Sequence, residues 1–187
     1  DQGQANQNFT LHSLFLGNPR TGKTTVARIL GDILYQKSII KDNKFIEVSR
    51  SDLVAGYIGQ TATKTREVLK SALGGVLFID EAYSLYQEGA NDFGREAIDE
   101  ILKFMEDNRD NIVIILAGYN KEMQDFLQMN SGLESRIPNK FTFEDYSVDE
   151  IVEIGLMYLE KFGYNVDHNL YKAVVEENYK LSNDSSN

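Results

Sequence analysis

The sequence contains no cysteine and only two histidines and two prolines in 187 residues. The absence of cysteine excludes disulfides and cysteine-based zinc sites. His12 and His168 lie far apart in the chain, and two isolated histidines do not indicate a metal site. Because proline is scarce and 42% of the residues are hydrophobic, the composition predicts a globular α/β chain with one sizeable core rather than disorder.

Positive charge is also scarce, with 19 Lys and Arg against 29 Asp and Glu, so the net charge is −10. This balance disfavours a nucleic-acid partner, since such binding needs positive charge to displace counterions from phosphates. No run of about 18 apolar residues predicts a membrane span, and no charged-then-apolar leader opens the chain. We therefore expect a cytoplasmic protein without a membrane partner, and the polar opening "DQGQANQNFT" suggests a piece of a longer protein.

Short apolar runs alternate with segments of helical periodicity. The almost wholly apolar run 111–119 predicts a central parallel strand that is covered on both faces. In the helical segment 92–107 the periodicity places Ala97, Ile98, Ile101, Leu102 and Met105 on one apolar face. The predicted strands are 11–16, 44–49, 76–80, 111–119 and 140–143, and the predicted helices between them are 23–36, 61–73 and 92–107.

The pattern changes to helices alone from Ser147 onward. Ser147 and Glu150 form a capping-box sequence at the start of an apolar helical stripe. We therefore predict an α/β domain over residues 1–146, with a parallel five-stranded sheet flanked by helices, and the start of a small helical lid over residues 147–187.

Residues 17–25 read "GNPRTGKTT" and lie between a predicted strand and a predicted helix. Gly17, Gly22, Lys23 and Thr24 satisfy the phosphate-binding pattern G-x-x-x-x-G-K-[ST]. Glycines let backbone N–H groups wrap around phosphates at a helix N-terminus. Lys23 can reach the β and γ phosphates, and the Thr24 hydroxyl can ligate Mg²⁺. The pattern predicts a P-loop nucleotide fold with ATP and Mg²⁺ as cofactors.

The other loop residues are expected to line the same nucleotide. They are Asn18, Pro19, Arg20, Thr21 and Thr25. Arg20 stands where such loops usually carry something smaller. If the backbone needs a positive φ there, a residue other than Gly costs on the order of 1 kcal/mol. We therefore expect a site that binds nucleotide and turns it over slowly.

An acidic pair follows the predicted strand in "VLFIDEAY". Asp80 can hold Mg²⁺ through a water, and Glu81 can act as general base on the attacking water. Asn120 follows the next strand of the sheet and could orient that water, although Tyr119 is a competing candidate. The pair predicts nucleotide hydrolysis. A small-molecule kinase also uses a P-loop, but a Glu after the Asp fits water activation better.

Four segments, of which the first contains the P-loop and the other three lie outside it, carry a resemblance: "GNPRTGKTTVARILG", "SRSDLVAGYIGQTATKTREVLKSALGGVLFIDEAYSL", "NDFGREAID" and "VIILAGY". Together they resemble the CbxX/CfxQ family of AAA+ ATPases, which includes the stage V sporulation protein K type, red-type Rubisco activases and ATPases of type VII secretion. The resemblance covers nearly the whole chain and is nearest to the sporulation-protein type.

This resemblance implies a homo-oligomeric ring, usually a hexamer, that couples ATP hydrolysis to the threading or remodelling of a protein client. Tyr57 in "AGYIGQ" matches the aromatic pore loop that grips the client. Arg136 in "GLESRIP" matches the arginine finger that reaches the γ-phosphate of a neighbouring subunit. Ile151 matches the aliphatic residue that packs against adenine.

Two departures from the family pattern keep alternatives open. The family usually has Gly in place of Arg20, and no Arg follows Arg136 to serve as a second sensor. Both features favour an ATP-binding assembly or scaffold module with little hydrolysis as the alternative function. A clamp-loader or helicase-like protein that acts on DNA is disfavoured by the net charge and the tyrosine in the pore loop.

Overall fold

A computed structural model describes residues 10–18, 21–87, 93–143 and 148–161, with only some side chains in the last range. Its centre is a single sheet whose strands follow the order β2-β3-β4-β1-β5, and every neighbouring pair is parallel. The predicted parallel five-stranded sheet is therefore confirmed. The strands are β1 (Ser13–Gly17), β2 (Phe45–Val48), β3 (Val76–Ile79), β4 (Val113–Gly118) and β5 (Asn139–Phe143).

Helices connect the strands and cover both faces of the sheet. They are α1 (Lys23–Gln36), α2 (Arg50–Leu53), α3 (Thr61–Ser71), α4 (Gly94–Asp107), α5 (Asn120–Met129), α6 (Ser131–Arg136) and α7 (Val148–Lys161), with a 3-10 helix at Ala82–Leu85. The predictions for α1, α3 and α4 are confirmed. Helices α2, α5 and α6 were not predicted. Helices α2 and α6 bury one residue each, which gives no periodicity, whereas α5 was missed although Met123, Phe126 and Leu127 have helical spacing.

The three inner strands, β3, β4 and β1, are buried on both faces. Along β4, Ile114 and Leu116 pack into the cluster that includes residues of α3, α4, α5 and α6, whereas Val113 and Ile115 pack toward α1 and α7. This double burial explains why 111–119 reads as a continuous apolar run, and it confirms the prediction of a central strand.

The apolar face of α4 differs from the prediction at one position. Ala97, Ile98, Ile101 and Met105 are buried as predicted, but Leu102 is only half-buried and Phe104 is buried instead. The difference comes from tertiary packing. Helix α3 packs along one side of α4, whereas α6 contacts α4 only locally, so Leu102 lies at the edge of the surface of α4 that other helices cover.

The predicted boundary between residues 146 and 147, with the capping Ser147, lies outside the described residues. Helix α7 begins at Val148, within the segment predicted to be the first lid helix. In the portions of the chain that the structure describes, no helix combines the length and apolarity needed to cross a bilayer.

Candidate functional site

Two glycines shape the loop that leaves β1. Gly17 has φ 154°, and a Cβ on it would collide with the carbonyl oxygen of Phe143 at the end of β5. Gly22 precedes α1 in the left-handed region, with φ 92°. Only glycine adopts such a conformation at little cost. The turn that they make aims the first N–H groups of α1, which have no partner within the helix, into a cleft suited to phosphate.

Lys23 lies folded against this loop. Its Nζ donates hydrogen bonds to the carbonyl oxygens of Gly17, at 2.5 Å, and Asn18, at 2.9 Å. The Thr21 hydroxyl also donates to the Asn18 oxygen, at 2.8 Å. Burial lowers the pKa of Lys23, while the charges of Asp80 and Glu81 act in the opposite direction. The ammonium group is therefore held in the mouth of the loop.

Pro19 and Arg20, both predicted to line the nucleotide, lie outside the described residues. The prediction of slow turnover from Arg20 therefore stays a prediction.

The cleft above the loop collects the carboxyl ends of β1, β3 and β4. Its volume is about 250 Å³. Because all the strands are parallel, chemically active residues that follow different strands meet at this edge. The lining residues are Gly22, Lys23, Thr24, Thr25, Asp80, Glu81, Gly118 and Tyr119. The structure thus brings together six of the predicted site residues, four from the P-loop segment 22–25 and two from the acidic pair 80–81, although more than fifty positions separate the two groups in the sequence.

Asp80 and Glu81 form a rigid acidic corner. The N–H of Asp80 donates to the Val48 oxygen at 2.9 Å, and the N–H of Glu81 donates to Asp80 Oδ1 at 3.0 Å. Glu81 has φ 48° and ψ 47°, a left-handed conformation that is uncommon for a residue with a side chain. The Ser84 backbone N–H and hydroxyl both donate to its carbonyl oxygen, at 2.9 and 2.7 Å, which holds it there.

At the end of β4 the cleft is lined by Gly118 and Tyr119, not by Asn120. Asn120 begins α5 with an exposed side chain, and its Oδ1 accepts a hydrogen bond from Gln124 Nε2 at 3.2 Å. The Tyr119 ring lies 6.1 Å from the Tyr83 ring. Of the two residues considered from sequence, Tyr119 is therefore the one beside the acidic corner.

Gly118 was missed by the sequence analysis. A Cβ on it would come within 2.8 Å of Met123 and 3.0 Å of Tyr83. The signal was available, because a glycine that ends an apolar strand often marks a close approach of other atoms.

A magnesium site would have to be completed by the nucleotide. Within the described ranges, no group of three or more His, Asp or Glu side chains could hold a metal ion. Thr24 and Asp80 both line the cleft and offer oxygen ligands. Mg²⁺ is usually bound through one or two protein ligands plus phosphate oxygens and water, so this pair fits it.

Arg136 lies away from this cleft. It ends α6, just before β5, and therefore lies near the amino edge of the parallel sheet, whereas the P-loop follows the carboxyl end of β1. Its Nη2 is paired with Glu106, and its Nη1 donates to the Gly132 oxygen at 3.0 Å. The structure does not bring Arg136 together with the nucleotide residues of its own chain.

The other two residues taken from the resemblance are also separate from the cleft. Tyr57 lies between α2 and α3 with 73% of its surface exposed, and the adjacent Ile58 is 87% exposed. Ile151 belongs to α7, but its side chain is outside the described set.

Comparison with known families decides the assignment. The model of the "ATPase family associated with various cellular activities (AAA)" matches residues 13–144, from β1 to just past β5. The chain belongs to the AAA family of ATPases. The match includes the P-loop, the acidic corner and Arg136, and membership in this family supports ATP hydrolase activity.

Several curated AAA proteins that are similar to this chain indicate which kind of AAA+ ATPase it is. Stage V sporulation protein K of Bacillus subtilis is 48% identical over 166 residues, which are 89% of this chain and 52% of that protein. A CfxQ homolog of Galdieria sulphuraria is 50% identical over 167 residues, or 89% and 55% of the two chains. The chloroplastic ribulose bisphosphate carboxylase/oxygenase activase of Cyanidioschyzon merolae is 47% identical over 175 residues, or 93% and 60%. These relatives confirm the predicted CbxX/CfxQ-type AAA+ ATPase.

The chain spans little more than half the length of these curated AAA relatives. A solved structure also supports the fold: the crystal structure of the FIGL-1 AAA domain in complex with ADP has a TM-score of 0.51 and 19% identity. The similarity covers 89% of this chain and 54% of that one. At this level of identity the likeness shows the AAA fold alone.

Proposed function

We propose that this chain carries the ATP-hydrolysing site of a Mg²⁺-dependent AAA+ ATPase. One observation carries the proposal: the parallel sheet brings Lys23, Thr24, Asp80 and Glu81 into a single cleft beside the N-terminus of α1. Positive charge, metal ligands and a carboxylate base are the groups that phosphoryl transfer to water requires.

Each residue has a distinct role in this proposal. Lys23 leaves the carbonyl oxygens of its loop and donates to the β and γ phosphates, where its charge offsets theirs. Thr24 and Asp80 would hold Mg²⁺, Asp80 through a water, and the ion would supply positive charge against the phosphates. Glu81 accepts a proton from the attacking water, and the hydrogen bonds to its backbone keep the carboxylate positioned.

The first test is Glu81→Gln, which keeps the shape of the side chain but removes the base. ATP binding should persist, and turnover should fall by at least about 100-fold, since general base catalysis contributes that much. Glu122→Gln is the matched control, because Glu122 is an exposed carboxylate in the first turn of α5 that does not line the cleft. Binding and turnover are measured separately, by calorimetry with ATP and by phosphate release.

If wild type and Glu81→Gln hydrolyse ATP equally slowly, the chain is instead an ATP-binding assembly or scaffold module. That result would reject the role of Glu81 but leave the binding role of the P-loop intact.

We further propose that the protein works as a homo-oligomeric ring, a hexamer, with Arg136 acting on the nucleotide of a neighbouring subunit. The position of Arg136 supports this, because it is remote from the cleft of its own chain. AAA+ ATPases typically form rings, which is the second support.

A protein client is proposed for the exposed loop at Tyr57. The ring of Tyr57 offers apolar contact area without being committed to its own core. A relative is named an activase of ribulose bisphosphate carboxylase/oxygenase, which is a protein, and this supports a client of that class. Residues 147–187 complete the proposal as a helical lid, with Ile151 against adenine.

A further inference from the structure

One arginine outside the nucleotide cleft is bound to the segment that follows the acidic corner. Arg50 is the first residue of α2, and its Nη1 donates hydrogen bonds to the carbonyl oxygens of Ser84, at 2.8 Å, and Leu85, at 3.2 Å. These two residues end the 3-10 helix at Ala82–Leu85, which Glu81 precedes. The side chain of Arg50 therefore joins α2 to the acidic corner across 34 positions of sequence.

The contact is made with carbonyl groups at the end of the 3-10 helix. The last carbonyl groups of a helix have no partner within it, and a 3-10 helix has poorer hydrogen-bond geometry than an α-helix. At its start, Ser84 donates two hydrogen bonds to the oxygen of the left-handed residue Glu81. Because Arg50 binds the carbonyl of the same Ser84, it holds the opposite end of the turn that fixes Glu81.

Helix α2, which carries Arg50, is fixed at both ends. Ser49 caps it, and the Ser49 N–H donates to Asp52 Oδ2 at 2.9 Å. At the other end the Leu53 side chain is fully buried, and the Leu53 oxygen accepts a hydrogen bond from Thr65 Oγ1 of α3 at 2.8 Å. The backbone from which the Arg50 side chain extends is therefore fixed, so its hydrogen bonds can restrain the 3-10 helix.

The start of α4 packs closely over this contact. Gly94 is the first residue of α4, and a Cβ on it would collide with the Leu85 oxygen and lie 2.8 Å from Arg50 Nη1. The guanidinium group therefore lies in a narrow space between α2, α4 and the 3-10 helix. Arg50 is not among the described residues that line the nucleotide cleft, so any effect on hydrolysis must pass through the residues that it binds.

We propose that Arg50 is a positioning residue for Glu81: it anchors the 3-10 helix and, through Ser84, keeps the Glu81 backbone and carboxylate in place for the attacking water. This inference rests on the proposed role of Glu81 as the general base. Misplacement of a reacting group by about 1 Å can cost on the order of 100-fold in rate. ATP binding depends instead on the P-loop around Lys23, so the loss of Arg50 should lower turnover and leave ATP affinity unchanged.

The first experiment replaces Arg50 in the full chain. Arg50→Met keeps an unbranched side chain but cannot donate, whereas Arg50→Lys keeps a cationic donor. Arg50→Met should lower kcat for ATP hydrolysis by about tenfold while the dissociation constant for ATP stays within about twofold of wild type, and Arg50→Lys should keep most of the turnover. Arg66→Met is the matched control, since Arg66 joins α3 to α4 through Glu100 at 2.8 Å, and it should turn over ATP like wild type.

The second measurement uses the nucleotide-free chain and does not depend on hydrolysis. Amide hydrogen exchange at Ser84 reports the hydrogen bond that its N–H donates to the Glu81 oxygen at 2.9 Å. Arg50→Met should speed this exchange by about tenfold, because the 3-10 helix opens more often once its end is released. Arg66→Met should leave the exchange rate at Ser84 as it is in wild type.

Four results would overturn the inference: turnover of Arg50→Met within about threefold of wild type, a loss of ATP affinity as large as the loss of turnover, Arg50→Lys as slow as Arg50→Met, or unchanged exchange at Ser84. Should Arg50→Met fail to fold, Arg50→Gln replaces it with the same expectations, because its amide ends well short of the position of Nη1. Failure of the proposed function gives a different result, since Glu81→Gln would then hydrolyse ATP like wild type. If Arg50 alone has no positioning role, Glu81→Gln still loses turnover.

Discussion

At the scale of single residues, Glu81 has a strained backbone and at the same time a side chain that is held in a defined position on the cleft. Its left-handed backbone, with φ 48°, costs on the order of 1–2 kcal/mol, because Cβ lies too close to the following carbonyl oxygen. The same conformation places the carboxylate on the wall of the cleft next to Asp80. Strain of this kind persists where the surroundings hold it, and here Ser84 donates two hydrogen bonds to the Glu81 oxygen.

This strain leads to a prediction with two variants. Glu81→Ala and Glu81→Gly should both lose ATP turnover, but Glu81→Gly should be more stable than Glu81→Ala by up to about 1 kcal/mol, because glycine tolerates a positive φ. Chemical denaturation of the two proteins measures the difference. If Glu81→Gly proves the less stable, as glycine is at ordinary positions, the backbone at Glu81 is not strained.

His12 gives a second prediction at this scale. Its pKa is lowered from 6.5 to about 4, chiefly by burial. Between these values the unfolded chain binds a proton that the folded chain does not, so the stability contribution is present above pH 6.5 and is lost as pH falls toward 4. The loss should approach about 3 kcal/mol in total.

The control for His12 is His12→Asn, whose side chain does not titrate. The difference in unfolding free energy between wild type and this variant should shrink or reverse as pH is lowered from 7 to 4.5. A difference that stays constant with pH would mean that His12 is protonated equally in both states.

At the scale of elements, the covering helices decide which residues of α4 matter for stability. Ile101 is 1% exposed and lies in the core cluster, whereas Leu102 is half-buried at its margin. We expect Ile101→Ala to lower the free energy of unfolding by about 2–5 kcal/mol, because it leaves a cavity in a packed core. Leu102→Ala should cost clearly less, and thermal or denaturant unfolding of both variants tests this. Equal losses would show that α6 covers Leu102 more fully.

The helices and strands also show which elements could be predicted from hydrophobic periodicity in the sequence. Long or doubly buried segments, such as α1, α4 and β4, could be predicted because burial repeats along them many times. Short helices such as α2 and α6 have one buried residue each, Leu53 and Leu133, and no period can be read from a single residue. Their positions depend on neighbours that are distant in sequence.

At the scale of the whole molecule, the separation of Arg136 from the cleft leads to a complementation experiment. Glu81→Gln and Arg136→Ala should each have low turnover as pure proteins. If Arg136 acts on a neighbouring subunit, mixed oligomers contain interfaces where an intact Glu81 site receives an intact Arg136, and part of the activity should return. Phosphate release after subunit exchange measures the recovery.

The control mixture is Glu81→Gln with Lys23→Ala. Both substitutions damage the same cleft, so every site in the mixture is incomplete and no recovery is expected. Recovery in neither mixture, with subunit exchange verified, would contradict action between subunits.

The sequence by itself determined the local chemistry of this protein. The P-loop residues are contiguous, and the acidic pair directly follows a strand, so the roles proposed for them follow from a few neighbouring residues and the chemistry of phosphate and Mg²⁺. The sheet could be predicted for a similar reason, because a strand covered on both faces must be apolar throughout.

Only the tertiary structure decided what depends on contacts between distant parts of the chain. It placed Tyr119 rather than Asn120 on the cleft, and Arg136 at the opposite edge of the sheet. It also joined His12 to the Ile114 N–H across 102 positions. The physical reason is the strand order β2-β3-β4-β1-β5, which makes β1 the neighbour of β4 and β5 and is not written in any local pattern.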